Sequence, residues 1–323
     1  MKVSIAMATY NGAKYLQEQL QSFADQTLQP DELIITDDCS TDETETIVSE
    51  FARTSQFKVE FYRNEKNLGY CGNFNAALMK VTGDLVFLSD QDDVWFPEKI
   101  AHMVRVATAN PDALVLMNDA ALTDGELNEV WLTKVGQIRD AGLPLDSFVM
   151  GCCCAIRRKL LDFCLPIPEG LRAHDSWLVK IAEGLNAKVV DVRILQYYRR
   201  HESNESQFIA NRTTRVSRTS AFLFSAKKIL DPDTPLIQQQ EINQARKFAS
   251  GVQSIRPHAP SSYQTGLDKL LEVTKSRTLW MEERAEMRRR SLVPRFVFVI
   301  RFLMNGGYGL KGGFKAFLRD LAG

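Results

Sequence analysis

The residues up to about 205 predict an α/β fold in which a mostly parallel, doubly wound central sheet is flanked by helices. Three observations carry that expectation. Apolar runs and helical spacings alternate as β-α-β-α-β-α-β. Polar residues gather at the carboxyl ends of three of the strands, at Thr9-Tyr10-Asn11, Asp37-Asp38 and Asp90 to Asp93, where open α/β sheets hold their ligands. The apolar run Leu85 to Leu88 leads straight into the three carboxylates Asp90, Asp92 and Asp93.

Taken in order, Lys2 to Thr9 alternates Val3, Ile5 and Met7 with small residues and predicts the first strand. Tyr10-Asn11-Gly12 breaks it, and Leu16, Leu20 and Phe23 then recur at helical spacing through Gln26. Pro30-Asp31 turns the chain into a second strand at Leu33 to Ile35. Ser40 and Glu43 have the spacing of a capping box and open a helix to about Arg53. Lys58 to Tyr62 predicts a third strand. A loop carrying Asn64, Asn67 and Gly69 follows, then a helix from Phe74 to Val81, ahead of the Leu85 strand.

Pro97 suits the first turn of a helix reaching Ala109, and Ala113 to Met117 predicts a strand. Asp119 to Leu145 lacks periodicity and reads as a long binding loop or lid. Phe148 to Ile156 reads as a strand interrupted at Gly151, and Arg157 to Phe163 as a short helix. Cys152, Cys153 and Cys154 read as small buried core residues. His174-Asp175-Ser176-Trp177 opens a helix that Gly184 stops. Lys188 to Val192 and Ile194 to Tyr198 predict two short strands.

The region 206–323 predicts a helical carboxyl-terminal extension. Thr214 to Leu230, Gln238 to Ser254 and Tyr263 to Met287 have helical spacing and are separated by prolines. Arg288 to Met304 joins a basic run to an apolar stretch interrupted by Arg295 and Arg301. That stretch is too short to span a bilayer. It either lies on an anionic membrane surface or packs on the α/β domain or on the partner of a homodimer. Gly307-x-Gly309-x-x-Gly312 formally fits a dinucleotide fingerprint but follows no strand, so it is set aside.

Positive and negative residues balance at 40 each, which argues against a nucleic-acid partner. The six cysteines form no C-x-x-C pair and no His-rich cluster joins them, so neither a zinc site nor a disulfide framework is expected. A reduced, cytoplasmic setting fits, with no signal-peptide layout at the start of the chain. The sequons at Asn204 and Asn211 are then chance matches.

Three adjacent carboxylates repel one another unless a cation neutralises them. Hard oxygen ligands suit Mg²⁺ or Mn²⁺, commonly shared with substrate phosphates. An acidic turn after a strand is the plainer explanation, and the polar ends of the neighbouring strands count against it. Asp175, near a helix amino terminus, also has a plain explanation in capping.

The segments "MATYNG", "QTLQPDELIITDDCSTDET", "NEKNLGYCGNFNAAL", "GDLVFLSDQDDVWFPEKI", "GCCCAIRRKLL", "AHDSWL" and "YYRRHESN", in that order, resemble family 2 glycosyltransferases of the GT-A fold, and within them a rhamnosyltransferase-like branch. The resemblance implies that Thr9, Tyr10, Asn11 and Asp37 hold the base and ribose of a nucleotide. Asn67, Gly69 and Asn73 would border the nucleotide and donor sugar. Many relatives have a Lys where Gly72 stands. Asp90-Gln91-Asp92 is similar to the D-x-D motif, with Asp90 facing the ribose, Asp92 the metal, and Asp93 and Trp95 supporting them. Asp175 matches the catalytic base. His174 and Trp177 would flank a sugar, Tyr198, Arg199 and His201 would reach the diphosphate or metal, and His201 would be a further metal ligand.

The implied activity is inverting, metal-dependent transfer of a sugar, rhamnose by the branch, from a UDP- or dTDP-sugar to a glycan or lipid-linked acceptor. That acceptor implies work at the inner face of the cytoplasmic membrane. A sugar nucleotidyltransferase would carry a Gly-rich loop after the first strand, and a non-catalytic carbohydrate-binding scaffold would have lost carboxylates. The sequence has neither feature.

Overall fold

The computed structural model describes residues 1–201, 209–221, 224, 234–288, 292–304, 317 and 320. Its centre is a nine-stranded sheet. The strands are β1 (Val3–Thr9), β2 (Glu32–Asp37), β3 (Lys58–Arg63), β4 (Leu85–Ser89), β5 (Val94–Trp95), β6 (Val115–Thr123), β7 (Glu129–Thr133), β8 (Cys154–Arg157) and β9 (Lys188–Arg199). They lie in the order β3-β2-β1-β4-β8-β6-β9-β5, with β7 on β6.

From β3 to β4 every pairing is parallel. Beyond β4 the sheet is mixed: β8 runs antiparallel to β4 and β6, while β6 and β9 are parallel. β1 leads outward to β2 and β3, and the chain then returns to place β4 on the other side of β1. The strand order reverses between β1 and β4, and crevices for ligands open at such switch points.

β1 and β4 are buried on both faces, as a parallel sheet covered by helices requires. On one face Val3, Ile5 and Met7 meet Leu16, Leu20 and Phe23 of α1 (Ala13–Ala24), Val48 of α2 (Thr44–Thr54), and Ile100 and Met103 of α4 (Lys99–Ala109). On the other, Ala6, Ala8, Val86 and Leu88 meet Phe74, Ala77 and Leu78 of α3 (Gly69–Leu78), Leu160 and Leu161 of α6 (Arg158–Cys164), and Trp177, Leu178 and Ile181 of α7 (His174–Gly184). Successive strand residues alternate between the two cores.

α8 (Thr234–Ile255) and α9 (Ser261–Arg288) add Val252, Ile255 and Leu267 to that second core, so these two helices are docked on the α/β part of the chain. α10 (Leu292–Met304) packs on α9 through Met287, Val299 and Phe302. No helix among the described residues is long and apolar enough to cross a membrane. The sequon at Asn204, much of the expected 214–230 helix and the glycines from 307 to 312 lie outside the described residues.

Several expected elements differ. Residues 119–145 are no structureless loop: β6 runs on to Thr123, and β7 and α5 (Lys134–Asp140) follow. Ser40 and Glu43 make no capping box: the α2 N-cap has no side-chain bond, and Ser40 Oγ turns back to Asp37. α3 begins at Gly69 rather than Phe74, because Asp38 gathers the backbone N–H groups of Leu68 and Gly69. Residues 148–156 contribute only the short β8, preceded by 3-10 turns at Leu145–Ser147 and Gly151–Cys153. β9 is one strand, with its register shifted against β6 between Met117 and Ala121.

Candidate active site

The carboxyl ends of β1, β2, β4 and β9 and the amino ends of α3 and α7 come together around one crevice, joined by Gln91 on Tyr10, Asp38 on Gly69, His201 beside Asp92, and Tyr70 against Asp90 and His174. At the β1–β4 switch point the Gln91 amide is clasped to the main chain of Tyr10. The Tyr10 N–H donates to Gln91 Oε1 at 2.9 Å and Gln91 Nε2 donates to the Tyr10 carbonyl at 3.0 Å. Gly12 leaves room for this clasp, since a Cβ there would lie 2.3 Å from Gln91 Oε1. Asn11, at φ 46°, takes the left-handed conformation that Asn tolerates. Its Oδ1 accepts from the Thr41 N–H at 2.8 Å. Tyr10 and Asn11 are exposed.

Beneath this rim is a buried polar layer. Asp37 is fully buried and accepts from Thr9 Oγ1, Ser40 Oγ and the Ser40 N–H. Asn73 is buried too and donates to the Thr9 carbonyl at 3.0 Å. Thr9 itself is buried. These three residues, expected against the nucleotide, lie under the surface and position the residues above them. The reason is that buried polar groups must be paired, and here they pair with one another. Asp38 does the same for α3, accepting from the N–H groups of Leu68 and Gly69 and from Asn64 Nδ2. Asn67 is exposed and donates to the Asp38 carbonyl, and Gly69 takes φ 73° at the start of the helix.

The carboxylate turn divides by burial. Asp93 is wholly buried, accepting from Gln196 Nε2 at 3.0 Å and the Arg199 N–H at 3.2 Å. Burial, then the charge of Asp92, pushes its carboxyl up to about 7. Lys99 lies fully buried below, donating to the Cys152 carbonyl and Gln196 Oε1, with its Nζ 3.8 Å from the Trp95 ring centroid. Loss of water lowers that ammonium to about 8. Trp95 is buried edge-on to Phe23 and braces the turn from the core side.

Asp90 and Asp92 are half-buried at the crevice. Burial first, then the charges of Asp92, Asp93 and Asp175, drives the Asp90 carboxyl well above the ordinary range. Tyr70 Oη donates to it at 3.3 Å. Asp92 Oδ2 lies 2.8 Å from His201 Nε2, and the His201 ring packs 4.9 Å from that of Tyr15. Arg199 is buried and donates to the carbonyls of Asp92 and Gly125 and to Glu18. It therefore holds the turn in shape.

Asp175 stands in the first turn of α7, half-buried, while the N-cap position is Ala173 with no side-chain cap bond. It is not the N-cap, but its Oδ1 accepts from the Ser176 N–H at 2.6 Å, one of the free amino-terminal N–H groups of α7, so the helix terminus accounts for part of its role. Two neighbours depart from expectation. His174 is fully buried, stacked 3.8 Å from Phe74, with Tyr70 4.9 Å away. Among the described residues neither of its ring nitrogens has a hydrogen-bond partner, and burial lowers it to about 4. Trp177 is buried, donates to the Cys164 carbonyl and packs on Phe248 of α8. Both side chains are packed below the surface, Trp177 on the face of α7 that is turned into the core.

Among the described residues one group of possible ligands is close enough to share a cation. Asp90, Asp93 and Cys152 place ligand atoms within 4.8 Å of one another. Asp93 is already bonded, and burial pushes the Cys152 thiol well up, keeping it protonated. Asp92 and His201, the residues expected at a metal, lie 2.8 Å from each other but are not gathered with Asp90 into such a group among the described residues; the carboxylate oxygens of Asp90 and Asp92 are the atom type that suits Mg²⁺ or Mn²⁺. Sequence reasoning missed Tyr70, Gln196, Lys99 and the packing role of Gly12. Gly12, directly after "TYN", was the one with a visible signal.

The family model described as Glycosyl transferase family 2 matches residues 4–164. An uncharacterized glycosyltransferase of Nostoc sp. is 28% identical over 232 residues, 66% of this chain and 69% of the relative. The dTDP-rhamnosyl transferase RfbG of Shigella flexneri is 28% identical over 212 residues, 62% of this chain and 73% of the relative. Residues 1–349 of Staphylococcus aureus TarS, solved in complex with UDP, superpose with a TM-score of 0.54 at 21% identity. That alignment covers 90% of this chain and 91% of the other.

Proposed function

The chain belongs to glycosyl transferase family 2 and is a glycosyltransferase with the GT-A fold, and from that premise we propose that it transfers a sugar with inversion from a UDP- or dTDP-sugar. The observation that carries the proposal is geometric: Gln91 of the carboxylate turn clasps the Tyr10 turn, and Tyr70, hydrogen-bonded to Asp90, packs 4.9 Å from His174, the residue next to Asp175 on α7.

In this reading Asp175 accepts the proton of an acceptor hydroxyl as its oxygen bonds to the anomeric carbon. The bond from that carbon to the donor phosphate breaks, and the nucleoside diphosphate leaves with the electron pair. Asp92 and Asp90, with His201 beside them, would hold a divalent cation. When bound, it neutralises charge on the leaving diphosphate. The exposed Tyr10–Asn11 turn, with Gln91 behind it, borders the base and ribose, and Asn67 and Gly69 border the donor sugar. Asp37, Thr9 and Asn73 keep that rim in place, and Asp93, Trp95 and Arg199 keep the carboxylate turn.

The similarity to a dTDP-rhamnosyl transferase supports rhamnose as the sugar, and the fold shared with a UDP-bound neighbour supports a pyrimidine nucleotide. The acceptor would be a hydroxyl of a cell-surface or lipid-linked glycan. All six cysteines are free thiols, which fits the cytoplasm as the setting. Titration calorimetry with UDP and dTDP, each with Mn²⁺, tests the reading. Saturable binding of at least one that disappears with chelator is expected, and heat from neither would overturn it.

A further inference from the structure

The carboxyl-terminal helix α10 is apolar on two faces. One face, through Val299 and Phe302, packs on Met287 of α9. The other faces outward: Val293, Phe296, Val297 and Met304 are between 57% and 81% exposed. With Ile300 they fall at i, i+3, i+4, i+7 and i+11, a single stripe along the helix. Scattered exposed apolar residues need no explanation, but a contiguous stripe marks an interaction surface.

Charge identifies its occupant. From Arg288 to Arg319 the sequence carries eight Lys or Arg and no Asp or Glu, in a chain that is otherwise balanced. Arg301 is exposed beside the stripe. Arg288 is paired with Asp320, but an apolar stripe with the exposed Arg301 beside it, in a segment of sequence rich in cations, matches an anionic lipid surface, where the stripe enters the acyl boundary and guanidinium groups meet headgroup phosphates. α10 has 13 residues, too few to cross a bilayer, so it would lie in the interface plane. We propose that α10 is a docking helix that seats the protein on an anionic bilayer. The proposal does not depend on which sugar is moved.

The test is sedimentation of the full chain with vesicles of phosphatidylcholine alone or with about 30% phosphatidylglycerol, at low salt and again at about 0.5 M salt. Binding to the anionic vesicles is expected to be at least about tenfold tighter than to the neutral ones, and to fall by about tenfold at high salt. The exposed-face double variant Phe296→Asp with Val297→Asp should lose the binding while its circular dichroism and melting curve stay unchanged. Equal binding to both vesicles, no binding to either, or full binding by the double variant would overturn the proposal. A dimer in sedimentation velocity that the double variant dissolves, without vesicle binding, would assign the stripe to a second copy of the chain and equally overturn it.

Discussion

Gln91 and Tyr10 are joined at both ends of one amide, with the Tyr10 N–H on Gln91 Oε1 at 2.9 Å and Gln91 Nε2 on the Tyr10 carbonyl at 3.0 Å. The clasp ties the turn after β1 to the carboxylate turn after β4, across the point where the strand order reverses. Each neutral hydrogen bond contributes about 1 kcal/mol, so Gln91→Ala should weaken nucleotide binding about tenfold in calorimetry. Gly12→Ala should act in the same direction, because its methyl would displace Gln91 Oε1. Unchanged affinity in both variants would mean that the clasp does not shape the nucleotide rim.

Asp92 and Asp93 should separate cleanly by the property each controls. Asp93→Ala leaves Gln196 Nε2 and the Arg199 N–H without their carboxylate in a buried site. It should cost about 2–4 kcal/mol of stability in denaturant unfolding. Asp92→Ala should move the unfolding midpoint little and abolish Mn²⁺-dependent nucleotide binding. The reverse pattern would exchange their roles.

His174 gives a pH signature. Its folded pKa is about 4 against the ordinary 6.5, set by burial. Between those values the unfolded chain binds the proton and the folded chain does not, so folding stability rises with pH there and falls as pH drops through the window. The full effect is about 3 kcal/mol. Urea unfolding from pH 7 to pH 4 should show this slope, and His174→Leu should flatten it even though losing the Phe74 stack lowers stability throughout. An unaltered slope in the variant would place the titration elsewhere.

The parallel half of the sheet was legible because β2 and β4 carry uninterrupted apolar runs, β1 alternates Val3, Ile5 and Met7 with small residues, and the helices between them repeat their apolar residues at 3.6-residue spacing. The carboxylate turn was legible because its acids are adjacent in sequence. Residues 119–145 were not. α5 spans seven residues, shorter than the window in which periodicity is read, and its first residue is a buried lysine, Lys134. β7 points Trp131 outward at 87% exposure, the reverse of an amphipathic strand. Its one usable signal was the N-cap Thr133, whose Oγ1 accepts from the Gly136 N–H. Burial of Asp37, His174 and Trp177 was also beyond the sequence. Whether an acid, imidazole or indole faces a crevice or the layer beneath it depends on which neighbours satisfy it, and those neighbours come from distant segments.

The roles assigned to the crevice rest most heavily on Asp175. Asp175→Asn keeps the side chain's size and removes its ability to take a proton. Transfer by this variant, measured with a panel of UDP- and dTDP-sugars, should fall by about 10²–10⁴-fold while calorimetric affinity for the nucleotide with Mn²⁺ stays within about threefold. Transfer retained at the parent rate, with the same nucleotide affinity, would contradict the assignment of Asp175 as the base.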